Sequence, residues 1–510
     1  MDERNEDLVS ASWEEHRLDR RELLRRAAAG GAAFVVAGTA ANVARGAARG
    51  AVAAAAGTPA TRAIAGLKAL NLPQGTKITV FAEDLTILGP QVTQAKFERE
   101  SGLKLNPQTA PFLQYFDKIF ADAATKGGNY DVVFAEHNRM GDLDAAGYIT
   151  DLSAWVKKYN PLLSDVIAPQ NNVWSQYNGK YVSLPTDGDV FIFYYRKDLL
   201  NNPAEQAAFK KKYGHPLRVP QSFDEYNRVL EHFTQPDKGL YGAVEWRVKG
   251  VTYWWFWQRL WSLGGSYFST KDMSATINSK AGVRALEDLK AMNKYMPPDV
   301  LSYGYVETVA AMQSGKAFSN ITWPAAGKNA NDAKTSKTVG KWGYALVPGY
   351  VVRGKVNNKS MSAPGYGMVV SNVSKGSKEA AYLYCQWFIS PENLIVADNN
   401  PKGNTDVLRK SIFNNPVEDK IFPGAAEYNK AHEENLAHAV PDPILPGYTK
   451  YTDALEIEIS NFMTGGKSAQ NALDDAAKAW DKITDSYGRD KQVVVYKNFL
   501  KTYGAGASKF

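Results

Sequence analysis

Residues 181–200, YVSLPTDGDVFIFYYRKDLL, limit the fold more than any other stretch of this chain. A short apolar strand turns through Pro185, Thr186, Asp187, Gly188 and Asp189, then enters the run 190–195 with no polar break. A strand apolar on both faces is buried on both. The two carboxylates therefore mark a bend where the backbone leaves one packed body for another. That pattern predicts a hinge whose polar groups face a cleft. With 510 residues, 44% of them hydrophobic, the chain can bury more than one core, so two lobes are expected.

The flanking sequence supplies elements for both bodies. Short β-branched or apolar runs at 77–81, 103–105 and 131–134 read as strands, with Gly102 as the C-cap of the helix between the first two. Phe112, Phe116, Ile119, Phe120 and Ala123 recur at helical spacing before Gly127-Gly128 stops them. Such alternation predicts an α/β lobe with helices over a largely parallel sheet. Beyond the hinge, Ser222 and Glu225 form a capping box behind Pro220, with Tyr226, Val229, Leu230 and Phe233 on one face. A Trp-rich helix from about Trp254, a helix ending near Gly315, a strand at 317–322 and the stretch 360–370 follow. The chain is expected to cross between lobes near Asp187, near Ala363 and again within 412–422. No internal repeat is visible.

Open α/β sheets bind ligands beyond the carboxyl ends of their strands, where loops converge. That rule selects Glu83 and Asp84 after the first strand, Glu136 and His137 after the strand 131–134, Trp323 after 317–322, and Asp187 with Asp189 at the hinge. Carboxylates beside indoles suit a carbohydrate. Charged acceptors bond its hydroxyls strongly, and aromatic faces cover the C–H side of its rings. In the run Tyr253-Trp254-Trp255-Phe256-Trp257, adjacent positions differ by about 100° around a helix, so one core cannot take all five rings. Trp254, Trp257 and Trp261 share a packing stripe, which leaves Trp255 or Trp254 to stack on a ligand.

Other classes fit worse. The net charge of +7 comes from 60 basic and 53 acidic residues without the clusters that phosphate binding needs, which argues against nucleic acid. Cys385 is the single cysteine, so no intrachain disulfide forms, and it lies on the apolar stripe Ala381, Cys385, Phe388. Gly465-Gly466-Lys467-Ser468 imitates the end of a phosphate-binding loop, but Asn461 stands where its first glycine belongs. It reads as a helix C-cap followed by an N-cap. The six histidines form no close helical ligand pair, and the spacing of His432 and His438 fits no zinc template. No metal or cofactor is expected. Acidic pairs could serve a glycosidase or lyase, a lesser alternative, as is a binding protein for a non-sugar solute such as a polyamine.

At the N-terminus, Asp19-Arg20-Arg21-Glu22-Leu23-Leu24-Arg25 resembles a twin-arginine export signal, followed by a mildly apolar Ala/Gly stretch at 27–44. Cleavage is expected near Ala40 or Ala53. No cysteine lies near either point, so a freely diffusing periplasmic protein is expected.

Residues 181–200 resemble the lobe crossover of the family 1 extracellular solute-binding proteins, the sugar receptors of ABC importers related to maltodextrin-binding proteins. The helix start at 220–225 and the element 314–323 fit the family too. So do the glycine-rich return Pro364-Gly365-Tyr366-Gly367-Met368 before a helix at 377–390, the polar segment 401–409, and the ending from Pro441 onward. The resemblance covers most of the chain after about residue 75. It implies a type II periplasmic binding protein, each lobe a mainly parallel sheet flanked by helices, joined by a multi-strand hinge. Lobe 1 would comprise 75–187 and 363–412, and lobe 2 would comprise 188–362 and 413–510, after a signal and linker over 1–57. It adds Tyr366 and Arg409 to the site. It further implies a monomeric, non-enzymatic receptor that closes on a carbohydrate and delivers it to a membrane permease and its ATPase.

Overall fold

The computed structural model describes residues 57–167 and 170–503; the segment expected to be an export signal lies outside them. Two sheets organise the chain. The first contains strands β1 (Lys77–Glu83), β2 (Lys104–Ala110), β3 (Val132–Glu136) and β4 (Leu184–Pro185). The second contains β5 (Ile192–Arg196), β6 (Tyr241–Val244), β7 (Ala317–Thr322) and β8 (Trp342–Ala345). Beyond them come β9 (Ser360–Ser362), β10 (Tyr366–Val370) and β11 (Ala439–Pro441). The first sheet runs β2-β1-β3-β10-β4 and the second β8-β5-β7-β6, while β9 pairs with β11 in parallel.

Both sheets are mixed where mainly parallel sheets were expected. β1 is parallel to β2 and to β3, but β10 runs antiparallel to β3 and β4. In the second sheet β5 is antiparallel to both β7 and β8. The cause is topological. β5 and β10 are the strands by which the chain enters each sheet from the hinge, so each starts at the edge where its neighbours end. Consequently Glu83, Glu136, Tyr366 and the turn after Pro185 share one edge of the first sheet. Trp246, Trp323 and the residues before Ile192 share the facing edge of the second.

Local chemistry sets the element ends. Ser222 accepts from Glu225 N while the Glu225 carboxylate takes Ser222 N, completing the capping box of helix Phe223–Phe233. Gly102 and Gly315 close their helices at φ 76° and 78°. Gly465 follows the helix Tyr448–Met463 at φ 86°, and Ser468 caps the next, Ala469–Ser486. Cys385 is buried on the helix Lys378–Phe388, and burial pushes its thiol well above the ordinary range.

The Trp-rich helix, Tyr253–Ser262, departs from expectation because all ten of its residues are buried. It is a central rod. Helices Lys280–Ala291 and Tyr448–Met463 and strand β9 pack against it, so each of its faces meets a different neighbour. Two of its indole donors are used internally: Trp254 Nε1 reaches the Asp442 carboxylate at 3.0 Å and Trp255 Nε1 reaches Ile321 O at 2.9 Å. The Glu456 carboxylate accepts from Gly250 N and Tyr253 N at the start of the helix, where the positive end of the backbone dipole favours an anion.

Candidate functional site

The hinge segments meet through backbone bonds that place three carboxyl groups together. Thr186 N donates to Tyr366 O and Gly188 N to Asp406 O, each at 2.9 Å. Asp406 N in turn donates to Asp187 Oδ1 at 2.8 Å. The approach is close enough that a Cβ on Gly188 would stand 2.0 Å from Val407 O, so this position needs glycine. Asp189 Oδ2 accepts from Gly365 N at 3.0 Å, and Asp406 Oδ2 from Ala325 N at 3.1 Å. One oxygen of each carboxyl is thus held by backbone. The group has ligand atoms within 4.8 Å of one another.

Burial first, and mutual repulsion after it, lifts Asp187 and Asp189 well above the ordinary carboxylate range; burial raises Asp406 to about 7. The nearest cation is Lys328, whose Nζ lies 4.0 Å from Asp406 Oδ1 and donates to Asp398 O and Thr405 O. Two further acids come from the first sheet. Glu83 is anchored by Leu85 N, Thr86 N, the Thr86 hydroxyl and Asn404 Nδ2. Glu136 pairs with Arg139 at 2.9 Å. Tyr305 lies close to the group: burial and then the charges of Asp406, Asp189, Glu83 and Asp187 raise its hydroxyl, which itself donates to Asn329 Oδ1.

Aromatic rings cover the other side. Trp323 meets Trp246 at 4.8 Å, Phe191 at 5.2 Å, and both Trp254 and Trp255 at 5.4 Å. Trp246 also packs edge-on to Tyr305 and, across the cleft, to Phe112 at 6.2 Å. Trp323 Nε1 donates to Ala363 O, which ties the ring to the second crossover.

The residues selected from sequence fall into two sets. Glu83, Glu136, Asp187, Asp189, Trp323 and Tyr366 gather at the facing sheet edges, with Trp254 and Trp255 behind Trp323. Asp84 is exposed and accepts from the Thr109 hydroxyl. His137 stacks on Trp174 at 4.8 Å beside a cavity of about 10 Å³ shared with Asn138 and Asp442, and burial depresses its pKa to about 3. Arg409 is wholly buried and donates to Leu162 O and Pro161 O, within 3.4 Å of Asp165. Asp406, from the same segment, reaches the hinge acids instead. Trp246, Tyr305 and Lys328 escaped the sequence reading, and within the polar segment 401–409 it chose Arg409 and passed over Asp406. Trp246 follows β6 and is reachable by the same strand-end rule; Lys328 carries no local signal.

This arrangement lies between the facing edges of two sheets, where the segments around Asp187, Ala363 and Asp406 meet. A family profile described as bacterial extracellular solute-binding protein matches residues 82–395. The chain belongs to that family. A probable amino-acid ABC transporter periplasmic-binding protein of Sinorhizobium fredii is 25% identical over 347 residues, 66% of this chain and 74% of that one. A mannitol-binding protein of Pseudomonas aeruginosa is 24% identical over 336 residues, 64% of this chain and 70% of that one. Among solved structures, an ABC transporter solute-binding protein from Agrobacterium radiobacter in complex with ribitol superposes with TM-score 0.69 at 24% identity. The superposition covers 81% of this solute-binding protein and 100% of that chain. A counterpart from Agrobacterium vitis with bound D-mannitol gives 0.67 at 20% identity, over 81% and 99%. These likenesses establish the two-lobed fold.

Proposed function

We propose that this protein is the receptor of an ABC importer, capturing a monosaccharide, oligosaccharide or polyol between its lobes and passing it unaltered to a membrane permease driven by an ATPase. The observation that carries this reading is the union of hinge and strand-end carboxyls with a tryptophan wall. Relatives described as binding mannitol and ribitol support it. Lobe 1 is assigned 75–187 and 363–412, and lobe 2 is assigned 188–362 and 413–510. Glu83, Glu136, Asp187, Asp189 and Asp406 are acceptors for hydroxyls, Trp246 and Trp323 are the stacking faces, and Trp254, Trp255 and Tyr366 support them. Asp84, His137 and Arg409 keep local structural duties in this assignment.

Closure is the working step. Asp187 is 2% exposed, Asp189 5% and Trp323 6%, so a solute reaches them only when the lobes part. A ligand that touches both lobes then stabilises the closed form by its preference for it. We assign the mature protein to the periplasm as a monomer without catalytic activity, exported by the twin-arginine segment Arg20-Arg21. A thermal-shift and calorimetric panel of hexitols, pentitols, hexoses and maltodextrins tests the reading: one saccharide or polyol binds, and scattering shows compaction with it. Binding of polyamines alone, or release of reducing sugar on incubation, overturns it.

A further inference from the structure

We propose that the solute carries a protonated amine: the cleft selects an amino polyol or amino sugar over its neutral hydroxyl counterpart, with the ammonium seated among Asp187, Asp189 and Asp406. The inference rests on the carbohydrate reading above and narrows it.

The charge inventory is unbalanced. Five carboxyl groups border the cleft, and the cations facing them are Arg139 and Lys328. Arg139 spends its charge on Glu136 and stacks on the Phe116 ring at 4.7 Å. Lys328 is fixed by two carbonyls. The three hinge carboxyls each give one oxygen to a backbone N–H, and those of Asp189 and Asp406 also meet each other, an acid-to-acid contact that a bound cation relieves. An ammonium presents three donors without an acceptor, a match in number and in charge. A hydroxyl has one donor and gives no counter-charge to a buried anion.

A second observation points independently to a polar ligand. Trp246 is nine-tenths buried, and its Nε1 donates to no protein atom, although its ring lies against Trp323, Tyr305 and Phe112 at the facing sheet edges. A hydroxyl oxygen of the same solute satisfies that donor, and the rings add attraction for a cation beside them. Ca²⁺ suits the group less well, because it takes six to eight oxygens and the three carboxyls already use half of theirs.

The test compares matched pairs on the full mature protein by calorimetry: D-glucitol against 1-amino-1-deoxy-D-glucitol, and glucose against glucosamine. At pH 8 the amine of at least one pair binds roughly 10- to 100-fold tighter, the gain of charge-assisted bonds. The advantage shrinks at pH 5 as the carboxyls protonate; the groups facing them are Glu83, Glu136, Tyr305, Tyr366, Lys328 and His432. Asp187→Asn removes the preference while leaving circular dichroism unchanged. If neutral members bind as well as amines, the carbohydrate reading stands and this inference falls. If Ca²⁺ tightens glucitol and the amine gains nothing, the carboxyls serve a metal and the inference falls. If no saccharide or polyol binds at all, both readings fall together.

Discussion

Replacing Asp406 by Asn separates the cost of the buried acids from their use. Burial raises the Asp406 carboxyl from 3.8 to about 7, so the folded protein holds a proton that the unfolded chain releases at lower pH. A raised carboxyl stabilises least when ionised: its contribution is complete below about pH 4 and is lost as pH rises toward 7. At roughly 1.4 kcal/mol for each tenfold change in proton affinity, ionised Asp406 costs the native state about 4 kcal/mol at pH 8. Asn keeps an oxygen for Ala325 N and carries no charge, so the variant recovers that amount. With about 2.1 cal/mol/K of unfolding entropy per residue over about 445 described residues, the gain is roughly 4 °C in Tm. Differential scanning calorimetry of ligand-free protein from pH 4 to pH 9 checks it. The variant and the parent should melt together near pH 4 and diverge by about 4 °C at pH 8. A Tm difference unchanged between pH 5 and pH 8, or a variant less stable at pH 8, refutes the reasoning. Ligand affinity should fall in the same variant, since the group that destabilises the empty cleft is one that grips the solute.

Three further outcomes are expected. Trp323→Phe keeps an apolar ring and the fold but weakens saccharide affinity about tenfold by calorimetry, because the smaller face covers less of the solute and forfeits part of an aromatic contact. The buried group Glu245, Arg247 and Arg259, with Arg247 Nη2 2.7 Å and Arg259 Nη2 3.6 Å from Glu245 Oε2, should respond non-additively. Glu245→Gln costs about 3–5 kcal/mol in denaturant unfolding, whereas the triple change to Leu, Leu and Met stays within about 2 kcal/mol of the parent. Additive losses would refute that. Gly188→Ala forces Val407 O away from the first crossover, so scattering should show a larger radius with saturating ligand than the parent has, with both sheets intact by circular dichroism.

Much of the fold was legible because period and punctuation are local properties. The strand 317–322 coincides with Ala317–Thr322, and the capping box at Ser222 and the caps at Gly102, Gly315 and Ser468 are where the sequence puts them. The strand-end rule found Glu83, Glu136 and Trp323 since each directly ends or follows a buried strand. What stayed hidden is set by pairings distant in sequence. The mixed sheets follow from which edge each crossover enters, and no residue records that. The Trp-rich helix looks too apolar for any one core because its faces are divided among neighbours from three distant parts of the chain. Asp406 gained its place from backbone bonds with Gly188 and Asp187, more than two hundred residues earlier. Arg409 shows the converse. A basic side chain in a segment that resembles a ligand loop is drawn under it by the carbonyls of Pro161 and Leu162.

The same hinge acids give the receptor its bias. Closing the lobes takes Asp187, Asp189 and Asp406, which the hinge already holds within 4.8 Å of each other, out of water, which is unfavourable while they are ionised. That repulsion favours the open form of the empty protein at neutral pH without any dedicated lock. A solute reverses the sign by supplying donors, or positive charge, to oxygens that lose their water on closure. Moving the closed fraction from about 1% to about 99% takes roughly 5.5 kcal/mol of preference, and relief of three buried carboxyls, each worth about 1.5–3 kcal/mol in charged hydrogen bonds, is of that size. Stacking on Trp323 alone is not. The tryptophans therefore decide which solute fits, and the carboxyls decide whether its arrival closes the cleft.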